Sequence, residues 1–161
     1  MANAHHHVAL RVADIERAAG FYITVFGGRW LTKPFVIEGR FAETIYGRPG
    51  VRVKVCHVGF DEGTVELFQF IEPASATGSY DPTRANLMHY AIQVEDVDAA
   101  VERVEAAGGR ALFPVTPWGD ARVVYCEDLD GNIVELSDRD LRHIVKLTLD
   151  AFPDAAPDAA E

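Results

Sequence analysis

Apolar residues alternate with polar or small ones at two well-separated places in the chain. Val8, Leu10 and Val12 interleave with His7, Ala9 and Arg11, and Tyr90, Ile92 and Val94 interleave with His89, Ala91 and Gln93. Successive side chains of a strand point to opposite faces, so each stretch predicts a strand with one apolar face. Both strands stop at an aspartate, Asp14 or Asp96, suited to accept from the free N–H groups at the start of a helix. Beyond it the spacing becomes helical. Ile15, Ala18, Ala19, Tyr22 and Phe26 share one side of the first helix, and Val97, Ala100, Val101 and Val104 share one side of the second. Gly27-Gly28 and Gly108-Gly109 supply their ends.

These two stretches are copies of one pattern. Sliding the chain so that His7 falls on His89 also places Ala9 on Ala91, Val12 on Val94, Asp14 on Asp96, Ala18 on Ala100 and Gly27 on Gly109. Each copy reads His-x-x-x-x-Val-x-Asp. Three further strands are predicted after each helix, at about residues 29–37, 51–59 and 64–70 in the first half and 110–113, 122–127 and 132–137 in the second. Asp61-Glu62-Gly63 and Asp128-Leu129-Asp130-Gly131 are the turns before the last strand of each half, and a second offset aligns Val65-Glu66-Leu67 with Val134-Glu135-Leu136. The expectation is an α+β fold of two tandem βαβββ modules, spanning about residues 5–72 and 87–138. A Pro- and Ser-containing linker at about 73–86 joins them, and a terminal helix at about 140–151 carries Leu141, Ile144, Val145 and Leu149 on one side. Residues 1–152 then form a single domain, because neither half alone would bury its sheet, and residues 153–161 form a mobile acidic tail.

Composition narrows the function. A chain of 161 residues with 48% hydrophobic content supports a real core, and 25 acidic against 15 basic side chains leave a net charge of -10. That charge repels a phosphate backbone or an anionic membrane surface, so no nucleic-acid or membrane partner is expected. No apolar run approaches the roughly 18 residues of a membrane span and no signal segment precedes the first strand, so a cytoplasmic location is expected. Cys56 and Cys126 lie in strand-like stretches without CxxC spacing and read as reduced core thiols. The run His5-His6-His7 is too short for a purification tag, and the strand register singles out His7.

Alternation decides where the polar strand residues point. Val65 and Leu67 take one face, leaving Glu66 with Phe68 and Phe70 on the other, and Glu135 likewise opposes Val134 and Leu136. If helices cover the outside, His7, Glu66, His89 and Glu135 all face the concave side. One strand histidine or glutamate is ordinarily a solvated or hydrogen-bonded residue, but two of each at matched places of a repeat point to a metal site. Two imidazoles and two carboxylates suit one divalent ion such as Zn, Ni, Co, Mn or Fe(II), without choosing among them.

The sequence resembles the vicinal oxygen chelate superfamily of glyoxalase I, methylmalonyl-CoA epimerase, extradiol dioxygenases and bleomycin-resistance proteins. The resemblance covers about residues 7–138 and is carried by the stretch from His7 to Asp14 leading to Phe21-Tyr22, by Val65-Glu66-Leu67, by the stretch from His89 to Asp96, and by the stretch from Glu127 to Leu136. It implies modules side by side, forming a cupped mixed sheet around the ion with helices outside, a ligand on the first and last strand of each module, and a homodimer. It favours a metal-dependent isomerase or lyase of the glyoxalase/epimerase type acting on a small oxygenated metabolite. An ion chelating two adjacent substrate oxygens would stabilise the charge that develops when the neighbouring carbon loses a proton, making an enediolate accessible. The resemblance assigns Glu135 as the base, with Glu66 as ligand or second acid/base. Phe68, Phe70 and Trp118, the last in the loop Thr116-Pro-Trp-Gly-Asp120, are candidate substrate contacts, and Arg40, Arg48 and Arg52 are candidates for a carboxylate or phosphate. Two other readings remain: an Fe(II)-dependent extradiol-type dioxygenase, whose two-His, one-Glu pattern leaves Glu66 unexplained, and a metal-free drug-binding resistance protein, whose family pattern lacks these ligands.

Overall fold

The structure, a computed structural model, describes residues 7–74 and 89–152. The tail, His5, His6 and nearly all of the expected linker lie outside the described residues. The first module runs β1 (Val8–Arg11), α1 (Ile15–Phe26), β2 (Arg29–Ile37), α2 (Gly39–Tyr46), β3 (Arg52–Gly59) and β4 (Thr64–Glu72). The second runs β5 (Tyr90–Gln93), α3 (Val97–Ala106), β6 (Arg110–Ala111), β7 (Thr116–Trp118), β8 (Ala121–Glu127) and β9 (Ile133–Ser137), and α4 (Leu141–Ala151) follows.

Helix starts follow the aspartates. Asp14 accepts from Arg17 N at 2.9 Å, Asp96 from Ala99 N at 3.1 Å and Asp140 from His143 N at 2.8 Å, each occupying one N–H group that the first helical turn leaves free. Gly27 ends α1 at φ 69°, a left-handed cap that costs glycine little. Close approach explains Gly109, where an added Cβ would sit 2.7 Å from the Glu127 carbonyl oxygen and 2.8 Å from Val104.

Each module builds its own mixed sheet. The orders are β1-β4-β3-β2 and β5-β9-β8-β6, with β7 also paired to β8. In both, the first strand lies parallel to the last, and the last returns antiparallel to its predecessor. The rows Val65, Leu67 and Val134, Leu136 are buried, and one apolar cluster gathers them with α1, α3 and Phe21 and Tyr22.

The modules are joined by polar contacts as well as by that core. Asp128 Oδ2 accepts from the buried Tyr22 hydroxyl at 2.6 Å, and Asp130 Oδ1 accepts from Ala13 N at 2.8 Å. The same turn is braced internally, Asp128 Oδ1 accepting from the N–H groups of Asp130 at 2.9 Å and Asn132 at 2.8 Å. What the sequence marks as a turn is also an intermodule joint.

Two elements correct the expectation. Residues 39–46, expected as loop, form α2, and residues 116–118, also expected as loop, form the short strand β7 against β8. The N-terminal flank of α2, Glu38, makes no side-chain capping bond. Tertiary packing holds the helix instead: Ala42 is fully buried, and the Tyr46 ring meets Phe68 and Phe70 edge-on at 6.4 and 5.5 Å.

Candidate metal centre

Strand register brings the histidines to the glutamates. Ala9 pairs with Glu66 across the parallel β1/β4 ladder, and Ala91 pairs with Glu135 across β5/β9. His7 and His89 stand two residues earlier, on the faces of Ala9 and Ala91. His7 Nε2 lies 2.9 Å from Glu66 Oε2, and His89 Nε2 lies 3.1 Å from Glu135 Oε2. The glutamates are half-buried, on the sheet faces opposite Val65/Leu67 and Val134/Leu136. Each histidine thus meets the glutamate of its own module.

The two pairs do not join into a quartet within this chain. Among the described residues no three His, Cys, Asp or Glu side chains are grouped so as to hold one metal ion. The sheets share no strand pairing and meet through the core and the Asp128–Asp130 joint on the other side of each carboxylate-bearing strand. One chain thus presents two separate His–Glu pairs, each a candidate half-site.

Each half-site fits a divalent ion in chemistry and spacing. Two ligand atoms about 2.1 Å from one ion at right angles would lie about 3.0 Å apart, against the observed 2.9 and 3.1 Å. The same spacing suits a direct ion pair, so it is the donor chemistry, imidazole nitrogen beside carboxylate oxygen, that selects a borderline or moderately hard ion. Among the described residues His89 Nδ1 is buried with no hydrogen-bond partner, and Nε2 is the nitrogen that meets Glu135.

A third imidazole stands at the first half-site. His57 pairs directly with Glu66 across the β3/β4 hairpin, and its Nε2 lies 3.2 Å from Glu66 Oε1. Thr32 on β2 backs the ring: its hydroxyl oxygen accepts the His57 main-chain N–H at 3.0 Å and lies 2.9 Å from Nδ1. The matching position across from Glu135 is Tyr125, whose ring packs 5.0 Å from that of His89. His57 has no counterpart in the repeat, and the signal that finds it is hairpin register: counting back from the Asp61-Glu62-Gly63 turn sets it opposite Glu66.

The candidate substrate contacts divide. Phe68 and Phe70 share the face of Glu66 and pack against Tyr46. Burial, and then the Glu66 charge, raises the Tyr46 phenol above its ordinary pKa. A cavity of about 310 Å³ opens here, lined by Arg11, Arg48, Tyr46, Val51, Phe70 and Pro73. Trp118 instead stacks on Phe152 just beyond α4, with ring centroids 6.2 Å apart. Of the other arginines, Arg52 is tied to Glu38 at 2.8 Å, whereas Arg48 lines the cavity. Both cysteines are free and buried, and burial pushes each thiol up to about 11.

Paired modules, each with a histidine just before its first strand and a glutamate on its last, define a glyoxalase-type fold. The model of the Glyoxalase/Bleomycin resistance protein/Dioxygenase superfamily matches residues 4–136, and the chain belongs to that superfamily. It is 29% identical over 131 residues to the lactoylglutathione lyase of Neisseria meningitidis serogroup B, covering 80% of this chain and 86% of that one. A lactoylglutathione lyase of Arabidopsis thaliana is also 29% identical, over 135 residues, but the chain spans 43% of that relative's length. Among solved structures, a glyoxalase family protein from Bacillus cereus superposes with a TM-score of 0.75 at 20% identity, covering 83% of this chain and 91% of that one. Among the described residues no helix is long and apolar enough to cross a membrane.

Proposed function

We propose that this protein is a divalent-metal-dependent isomerase or lyase of the glyoxalase/epimerase kind, acting on a small oxygenated metabolite. The observation that carries the reading is the twice-repeated His–Glu pair, His7 with Glu66 and His89 with Glu135, on matched strands of the two modules. The similarity to lactoylglutathione lyases supports the same reaction class. A complete four-donor set needs both half-sites, and a second copy of the chain, bringing its second module to the first module of its partner, would complete it. The active species is therefore a homodimer with one ion per site, of Zn, Ni, Co, Mn or Fe(II) type.

The bound ion would supply positive charge to substrate oxygens beside an acidic C–H bond. Everything else falls to the chain. His7, Glu66, His89 and Glu135 would hold the ion, and Glu135, held weakly enough to let go of it, would take the proton from the substrate carbon and return it to the neighbouring position or the opposite face. Phe68 and Phe70 line the approach to the first half-site and keep water from it. Arg11 and Arg48 line the cavity beside Phe70 and suit a substrate that carries an anionic group.

The test combines elemental analysis of untagged protein with a screen of hemithioacetal, acyl-CoA and catechol substrates. About one divalent ion per site, with isomerisation or lyase turnover and no oxygen uptake, is the expected result. Oxygen consumption with a catechol would replace the reading by an Fe(II) dioxygenase. Absence of stoichiometric metal together with tight binding of an apolar drug would replace it by sequestration.

A further inference from the structure

We infer that His57 is a positioning residue for Glu66, holding Oε1 so that Oε2 alone is presented beside His7. The inference rests on the reading above only for what Glu66 then does, namely bind a metal ion. Its basis is a chain of three contacts. A carboxylate only accepts, so His57 Nε2, 3.2 Å from Glu66 Oε1, must carry the hydrogen between them. The group facing Nδ1 at 2.9 Å is the Thr32 hydroxyl. That hydroxyl oxygen also accepts the His57 main-chain N–H at 3.0 Å, so Thr32 grips both the backbone and the ring of His57. Hydroxyl, imidazole and carboxylate form one sequence of contacts, which fixes the orientation of the His57 ring and aims Nε2 at Glu66.

The repeat sharpens the assignment. His7 and His89 are matched between modules, but the position matching His57 holds Tyr125. A ligand common to both half-sites would recur, whereas His57 serves one carboxylate only. Hydrogen bonds that orient a ligating carboxylate are worth roughly 10- to 100-fold in metal affinity.

The experiment uses the full chain in two arms. In metal-free protein, imidazole nitrogen NMR should find His57 with hydrogen on Nε2, and that hydrogen should persist when Zn(II) is added. Titration with Co(II), followed by its visible absorption and by Zn(II) competition, should show His57→Phe binding roughly tenfold or more weakly than wild type. His57→Gln, whose amide can still donate to Glu66, should recover most of the loss, and Thr32→Val should weaken binding less than His57→Phe. Absence of hydrogen on Nε2 in the metal-free protein, or wild-type Co(II) affinity in His57→Phe, overturns the inference. Loss of the Nε2 hydrogen on Zn(II) addition, with no recovery in His57→Gln, overturns it in favour of direct ligation. A wild-type protein that takes up neither Co(II) nor Zn(II) sinks the metal reading instead, and the first arm alone then decides the His57–Glu66 link.

Discussion

Across the hairpin from its glutamate, the first module places an imidazole and the second a phenol. Glu66 meets His7 on one oxygen and His57 on the other, whereas among the described residues Glu135 meets one imidazole, His89. The turns of the same two hairpins differ in the opposite sense. Asp61 in the first is fully exposed and pairs with Arg29 at 3.6 Å, while Asp128 in the second is buried and reaches into the neighbouring module. Duplicated strands thus keep the His–Glu pairs, and the two modules diverge at the residues facing the glutamates. A carboxylate gripped at both oxygens suits a fixed ligand; one with a single imidazole partner suits a group that must move a proton.

That contrast can be broken most directly at the two glutamates. Glu135→Gln is expected to lower kcat by about 100-fold or more, the range of a lost general base, while bound metal per chain stays near wild type. Glu66→Gln should cost metal first and turnover as a consequence, so steady-state kinetics with metal analysis separate the two. Unchanged turnover in Glu135→Gln would end its assignment as the base. At the histidines the modules should respond alike: His7→Ala and His89→Ala should each lower metal content measured after dialysis, since each removes one of two donors in a half-site.

The turns should differ in stability. Asp128→Ala strips a buried acceptor from Tyr22 and from the N–H groups of Asp130 and Asn132, and should cost about 3 kcal/mol, a few unmade buried hydrogen bonds. Asp61→Ala should stay within about 0.5 kcal/mol, as exposed sites do. Urea denaturation of both variants measures the difference, and equal losses would remove the joint from the account of stability. The smallest contrast is expected at the thiols. Burial raises both Cys56 and Cys126 to about 11, so below that pH both stay protonated, and a disulfide reagent at pH 8 should react slowly with native protein and rapidly after denaturation.

The repeat, the capping aspartates and the shared faces of each histidine and its glutamate were legible because each depends on local alternation or on a match between copies. Helix α2 was not, since its stability comes from Ala42 and Tyr46 packing on a distant strand rather than from a cap or a long apolar stripe. Trp118 was assigned to a loop from its Pro-Trp-Gly setting, but pairing with Ala121 makes it part of β7, and its ring is engaged by Phe152. The partition into two half-sites depends on how the sheets meet, and alternation within a strand carries no information about that. His57 lay in between: hairpin counting could place it, but with Tyr125 at the matching position the repeat gave no reason to look.

The joint built by Asp128 and Asp130 hangs from the hairpin that carries Glu135 and grips Tyr22 and the start of α1 in the module that carries Glu66. The orientation of one half-site against the other is therefore pegged within the hydrophobic interior, away from the faces that bear the histidines. Side chains on the pocket side can be exchanged to suit a different metabolite while the peg keeps both halves in alignment, so specificity and assembly can change independently.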